Sequence, residues 1–471
     1  MDPLLPFVPH VAIFPFPAQG HVNSMLKLAQ LLSLSNFHIS FLVTIDTHDR
    51  LLNHTDVMSR FSSEFHLQAL PHGISMDGIN TRDGVSKLYD SLNTIAKPFL
   101  REFLVNSPVT CVIADGILSM AADVAEEINL PIIYFRTISA CAFWSYFCIP
   151  ALIQAGELPL KENAMDLTVT KVKGMEDFLR GRDLPSFCRA SDLTSPDFRL
   201  VMTETQQTTR ARGLILNTFE DLEGPILSQI RTVCPNIYTI GAIHALLKAR
   251  LTTKSTSSNS LWQEDESCMS WLDMHPPKSV IYVSFGSIAG VTQEDLFEFW
   301  YGLVNSEQKF LWVMRPDLII GQEEKCQIPV ELEQGTKERG YMTDWVPQEK
   351  VLAHTAIGGF LTHSGWNSTL ESIVEGVPMI CWPRFADQQV NSRFVSEVWK
   401  MGLDIKDTCD RDIIGKSIRD LMEKRIGEFL QRAEHMASLG KRAVNEGGSS
   451  YVNLDRLIQD IRLMIPPMRQ S

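Results

Sequence analysis

Basic charge is in short supply in this chain: 43 lysines and arginines face 56 aspartates and glutamates over 471 residues, a formal net charge of −13. That balance repels phosphate backbones and anionic lipid surfaces, so nucleic acid is not an expected partner. Cysteine offers no framework. Its nine copies include no C-x-x-C pair, which leaves neither a zinc site nor a disulfide ladder to read and fits a reducing compartment, taken as the cytoplasm. No basic residue precedes Lys27, so the N-terminus lacks the cationic start of a signal peptide. A uniformly apolar span is missing too. Thr137–Gly156 carries no formal charge, but Ser139, Ser145, Pro150 and Gln154 interrupt it, and a buried helix or pocket wall is expected there rather than a bilayer span. The strings G-x-G-x-x-G, G-x-x-x-x-G-K-[ST] and G-x-S-x-G are all absent, which withdraws the usual support for dinucleotide, P-loop and hydrolase-elbow readings.

What is present suits a large soluble α/β protein. Hydrophobic residues make up 44% and charged residues 21%, enough for a sizeable core, and the length suits two or three domains. Short apolar runs alternate with helical patterns, the signature of parallel sheets. In the first half the expected strands are Val11–Phe16, His38–Val43, Phe65–Leu70, Thr110–Ala114, Ile132–Phe135, Gly213–Leu216 and Ile237–Ile240, with helices such as Val22–Leu34, Val85–Leu104 and Asp221–Ile230. The run TTKSTSSNS then reads as an exposed linker. Beyond it come strands Val280–Phe285, Phe310–Met314, Gly359–Thr362 and Met379–Trp382, and helices Gln293–Val304, Gln388–Trp399 and Arg411–Glu423. The expected division is 1–250 for a first Rossmann-like domain, 251–262 for the linker, 263–445 for a second, and 446–471 for a C-terminal helix that could pack back on the first.

In open parallel sheets, ligands bind beyond the carboxyl ends of the strands. His21 follows the first strand at a helix start, where the dipole favours the neutral, proton-accepting ring, and Asp115 follows the fourth. Together they form a base and its orienter, unless His21 only begins a helix and Asp115 only caps one. Gly286-Ser287 and the loop Thr362–Ser368 follow strands of the second half as anion-binding turns would. Glu371 stands three residues after Ser368, the spacing of a capping box. Asp410-Arg411-Asp412 is the sole D-x-D string and reads as a helix cap rather than a metal site; Asp46 to Asp49 reads as a polar loop. No metal site is expected.

From Trp345 to Gln388 the chain runs WVPQEKVLAHTAIGGFLTHSGWNSTLESIVEGVPMICWPRFADQ. This resembles the 44-residue signature box of plant secondary-product UDP-glycosyltransferases, with Ser364 where cysteine is commonest. The likeness extends to PFPAQGHVN, WLDMHPPKSVIYVSFGS and EGGSSYVNLDRLIQDI. A finer likeness, to members that act on an iridoid, is carried by YFRTISACAFWSYFCIPALI and ILNTFEDLEGPILSQIR. The resemblance implies a GT-B fold, two Rossmann-like domains facing across a cleft, the first holding the acceptor and the second UDP-glucose. It implies Trp345 stacked on uracil, Val346 bonding the base through its backbone, and Gln348 and Glu371 on the ribose. Ser287, His363, Asn367 and Ser368 would take the phosphates; Trp366, Asp387, Gln388 and Thr137 the glucose. His21 becomes the base and Asp115 its partner. The acceptor wall is expected from Phe16, Ile117, Phe143, Tyr146, Phe187 and Phe385, with Arg384 as a clamp for an acceptor carboxylate. The expected activity is inverting, metal-independent transfer of glucose by a monomer to an iridoid or other terpenoid hydroxyl. Phenolic acceptors and a non-catalytic nucleotide-sugar binder are the alternatives.

Overall fold

A computed structural model describes residues 8–54, 57–61, 63–73, 83–189, 192–251, 262–287, 290–315 and 329–464. Two wholly parallel sheets organise it. The first contains β1 (His10–Phe14), β2 (His38–Thr44), β3 (Phe65–Leu70), β4 (Cys111–Asp115), β5 (Ile132–Arg136), β6 (Gly213–Leu216) and β7 (Ile237–Thr239), in the order β3-β2-β1-β4-β5-β6-β7. The second contains β8 (Val280–Ser284), β9 (Lys309–Val313), β10 (Gly340–Thr343), β11 (Ile357–Thr362), β12 (Met379–Cys381) and β13 (Gly402–Asp404), in the order β10-β9-β8-β11-β12-β13. Helices cover both faces of a parallel sheet, so central strands are apolar throughout; β4 and β11 are buried at every position.

Each order reverses once, between β1 and β4 in the first sheet and between β8 and β11 in the second. A crevice opens at such a reversal, and it is where α/β proteins bind ligands. β1 and β4 pair in register from Val11↔Cys111 to Phe14↔Ala114, which brings the loops after them side by side. β8 and β11 do the same for Gly286-Ser287 and His363.

The structure departs from the sequence reading where apolar periodicity is weakest. The edge strands β10 and β13 were not expected: the first is half-buried throughout and the second has three residues, so neither shows the buried run of a central strand. The first helix begins at Gln19, not Val22, which puts His21 inside its first turn; Gln19 and Gly20 add no apolar signal and Ala18 provides no side-chain cap. Asp46 to Asp49 lie in a helix, Ile45–His54, rather than a loop. The uncharged stretch forms two short helices, Ala140–Phe147 and Ile149–Gln154, and no helix among the described residues is long and apolar enough to cross a membrane. Most of the segment read as a linker, 252–261, lies outside the described residues. The final helix, Ser449–Leu463, lies on β7: Asn453 Nδ2 donates to Thr239 Oγ1 at 2.9 Å and the Tyr238 hydroxyl to Asp460 at 2.6 Å.

Candidate active site

At the first reversal, the Asp115 carboxylate is buried and organised by three donors. His21 Nδ1 stands 2.6 Å from Oδ2, the Phe16 amide donates to the same oxygen at 3.3 Å, and the Ile117 amide donates to Oδ1 at 3.2 Å. An ionised carboxylate only accepts, so the imidazole proton sits on Nδ1 and Nε2 keeps its lone pair. Thr137 Oγ1, just past β5, is 2.9 Å from the same Nδ1. The Phe16 ring lies 5.4 Å from the imidazole. An imidazole held by a buried carboxylate beside an apolar wall results, an arrangement that could serve as a base with its orienter.

At the second reversal, Gly286 has φ +74°, and a Cβ there would fall 2.4 Å from His363 Nε2, so only glycine allows this turn so close to the ring. Ser287 follows it, half-exposed. The helix Trp366–Glu375 begins with Gly365 at its N-cap and points its unpaired amides into the crevice. Gln348 accepts from the Tyr282 hydroxyl at 3.0 Å and donates to Ser368 Oγ at 2.9 Å and Glu371 at 2.6 Å. Glu371 is therefore no capping-box partner. Burial pushes its pKa up, with the neighbouring Glu349 adding to the effect. Trp345 is half-buried with Trp262 stacked 5.9 Å away, and Val346 is buried behind it.

Asp387 and Gln388 complete this side. Burial lifts the Asp387 pKa to about 6, against the opposing 2.7 Å bond from Asn391 Nδ2. Gln388 Oε1 accepts from the Arg384 and Phe385 amides, both at 2.8 Å, so the end left to meet a ligand is its amide donor. Asn367 joins the two halves: its Nδ2 donates to the Gly20 carbonyl at 2.8 Å and its Oδ1 accepts from Ser24 Oγ at 2.9 Å. Base and helix start thus share one crevice.

Several expected roles change. His363 is half-buried with its Nδ1 enclosed, and desolvation of the ring followed by the charge of Arg315 lowers its pKa to about 4, so it is a neutral ring rather than a cation. The cation here is Arg315, buried just past β9, whose Nη1 donates to the Ser287 carbonyl at 2.7 Å. Trp366 spends its indole N–H on the Asn217 carbonyl at 2.8 Å, which leaves no side-chain donor for a glucose hydroxyl. Arg384 is exposed, 4.6 Å over the Trp382 ring and 3.6 Å from Asp295, in an open hollow with Asp407 and Cys409; it does not join the aromatic wall. That wall brings Tyr146 within 6.4 Å of Phe187, and Phe187 within 5.1 Å of Phe385. Phe143 is fully buried behind it beneath Arg136, while Ile117 is half-exposed. The reading missed Arg136, Asn217 and Arg315, although each stands at or just past a strand's carboxyl end.

Asp410 accepts from the Asp412 and Ile413 amides at 2.9 and 3.0 Å and caps its helix. Among the described residues, no group of three or more His, Cys, Asp or Glu could hold a metal ion.

Comparison with known proteins agrees with this architecture. The family model described as UDP-glucoronosyl and UDP-glucosyl transferase matches residues 79–425. A 7-deoxyloganetic acid glucosyltransferase of Catharanthus roseus is 58% identical over 97% of this chain and 98% of its own length. A myricetin 3-O-rhamnoside 1,2-glucosyltransferase of Crocosmia x crocosmiiflora is 44% identical over 98% of this chain and 97% of its own. Among solved structures, Os79 from O. sativa in complex with UDP superposes with a TM-score of 0.81 at 28% identity, covering 96% of this chain and all of that one. The two facing sheets are thus a GT-B fold.

Proposed function

The chain belongs to the UDP-glucoronosyl and UDP-glucosyl transferase family, and we propose that it moves glucose from UDP-glucose to a hydroxyl of an iridoid-type plant metabolite, with inversion and without a metal ion. The observation that carries the reading is the 2.8 Å bond from Asn367 to Gly20, which sets the residue before the base against the start of the phosphate-facing helix. His21 Nε2 takes the acceptor's proton as its oxygen attacks C1 of glucose, a role worth roughly 10²–10⁴ in rate. The C1–O bond to UDP breaks and its electron pair leaves with the diphosphate, while Asp115 holds the imidazolium that forms. The amides of Gly365–Ser368, with Arg315 behind Ser287, stabilise that leaving charge. Attack opposite UDP turns an α-linked donor into a β-glucoside.

Gln348 and Glu371 are joined as a ribose-binding pair would be. Trp345 would stack on uracil and Val346 bond its edge. Asp387, Gln388 and Thr137 would meet the glucose, and Phe16, Tyr146, Phe187 and Phe385 the acceptor. The iridoid is favoured by the 58% identity to the enzyme named for 7-deoxyloganetic acid. A flavonoid glycoside is the second reading, from the 44% relative. UDP release from UDP-glucose, measured alone, with 7-deoxyloganetic acid and with a flavonoid glycoside, tests both. Release only with the iridoid supports the first reading, and release only with the flavonoid replaces it with the second. No acceptor-dependent release with these two or with a wider panel of hydroxylated acceptors would make this a nucleotide-sugar-binding protein.

A further inference from the structure

Arg136 ends β5 inside the first domain and is 5% exposed. Its Nη1 donates to the Gly116 carbonyl at 2.7 Å and its Nη2 to Thr205 Oγ1 at 2.9 Å, while the guanidinium lies 5.3 Å over the Phe143 ring. Its Nε is buried and has no partner. No carboxylate among the described residues forms an ion pair with it: Glu204, beside Thr205 in the chain, gives its oxygens to Ser119 and Tyr89, and Asp115 gives its own to His21, Phe16 and Ile117. Burying a guanidinium without an ion partner is costly. The fold nevertheless makes room for it, because a Cβ at Gly116 would fall 2.2 Å from Arg136 Cδ.

Two further polar atoms are orphaned around the same charge. The hydroxyls of Tyr134, two residues back on the same face of β5, and of Tyr146, one helical turn past Phe143, are both buried without a partner. Both feel the Arg136 charge, as does Asp115. Buried donors left unmade in one neighbourhood call for an acceptor that the chain does not supply. This neighbourhood borders the crevice: Gly116 precedes Ile117, Thr137 follows Arg136 to reach His21, and Tyr146 meets the Phe187 wall.

We propose that Arg136, with the Tyr146 hydroxyl, recognises a carboxylate on the acceptor and so makes the enzyme selective for acidic over esterified or neutral acceptors. The role sequence reading gave to Arg384 belongs to this buried arginine. The inference rests on the acceptor-transferring reading above and adds to it the residue that selects the substrate's charge. No bond is made or broken at Arg136: it is a specificity-determining residue whose charge-assisted bonds to a carboxylate hold the acceptor as His21 takes its proton.

The test compares 7-deoxyloganetic acid with its methyl ester as acceptors for the wild type, Arg136→Gln and Tyr146→Phe. The wild type is expected to prefer the acid. Arg136→Gln should cut kcat/KM for the acid roughly 10- to 100-fold, chiefly through KM, and cut that for the ester far less. Tyr146→Phe should lower the acid-to-ester ratio about 3- to 10-fold, and it decides the matter alone if Arg136→Gln does not fold. A wild type indifferent to esterification, or variants that lose acid and ester in proportion, would make Arg136 a prop for the Gly116 turn and overturn the proposal. Transfer to neither compound, with another acceptor used well, overturns the iridoid reading and this proposal together; proportional loss overturns this proposal alone.

Discussion

Replacing Asp115 with asparagine separates orientation from proton removal, because the two carboxylate oxygens have different duties. Oδ2 takes the His21 proton and the Phe16 amide; Oδ1 takes the Ile117 amide at 3.2 Å. An asparagine has one oxygen for the two positions. With its oxygen toward His21, its NH₂ opposes the Ile117 amide, donor against donor. With the amide turned over, its NH₂ donates to Nδ1, the ring proton moves to Nε2, and the lone pair that should receive the acceptor's proton is lost. Either arrangement leaves one buried donor unmet, a stability cost of about 1–3 kcal/mol, while the loss of the charge that steadies the imidazolium, or of the accepting tautomer, should lower kcat roughly 10- to 100-fold. His21→Ala removes the base itself and should cost more, about 10²–10⁴ in kcat. UDP-release kinetics at saturating acceptor give kcat, and calorimetry gives the UDP-glucose dissociation constant, which neither variant should change much. The reasoning fails if Asp115→Asn damages kcat more than His21→Ala does, or if either variant acts only by weakening donor binding.

If helix-start amides, with Arg315 behind Ser287, stabilise the leaving diphosphate as proposed, transfer should persist in excess EDTA; inactivation that Mn²⁺ reverses would turn Asp410 and Asp412 from cap to ligand. UDP-glucose should be used ahead of UDP-galactose, since the Gln388 amide donor is fixed by its two backbone contacts and an epimer leaves it unpaired; equal kcat/KM for the two donors would count against this. Asp387 carries a pKa raised to about 6 in the folded state, so its ionisation costs stability as pH rises from about 4 through 6. Asp387→Asn should therefore raise Tm at pH 7.5, by up to about 3 kcal/mol of stability, with transfer lost and the gain vanishing below about pH 4. A variant melting lower at pH 7.5 would refute that assignment.

The central strands were legible because parallel sheets bury both faces and write continuous apolar runs, and every expected strand has a counterpart within two residues at either end. The edges β10 and β13 write no such run. His21 and Asp115 were legible from their place after strands on either side of a reversal. Arg136, Asn217 and Arg315 obey the same rule and were passed over because each follows its strand without a motif. The misplacement of Arg384 has a different cause. Arg384 turns to Trp382 and Asp295 while Phe385 turns to Phe187, so neighbours in this loop do not share a direction.

Contacts between the two halves were least visible, since no spacing encodes a bond across some 340 residues. They also change what one residue of the donor box does. Asn367 spends its side chain on Gly20 and Ser24, with Asn217 Nδ2 a further 3.3 Å donor to Oδ1. Its amide is thereby committed to domain register, and under the proposed function the phosphates would be left to the backbone N–H groups around it. Lys27, on the same first-domain helix as His21, pairs with Glu349 of the second at 2.8 Å, one residue past Gln348. The helix that carries the base is therefore tied at two points to the segments that would hold phosphate and ribose. Shifting that helix by one turn would break both ties and withdraw His21 from the crevice, so the placement of the proposed base depends on the same contacts that join the two domains.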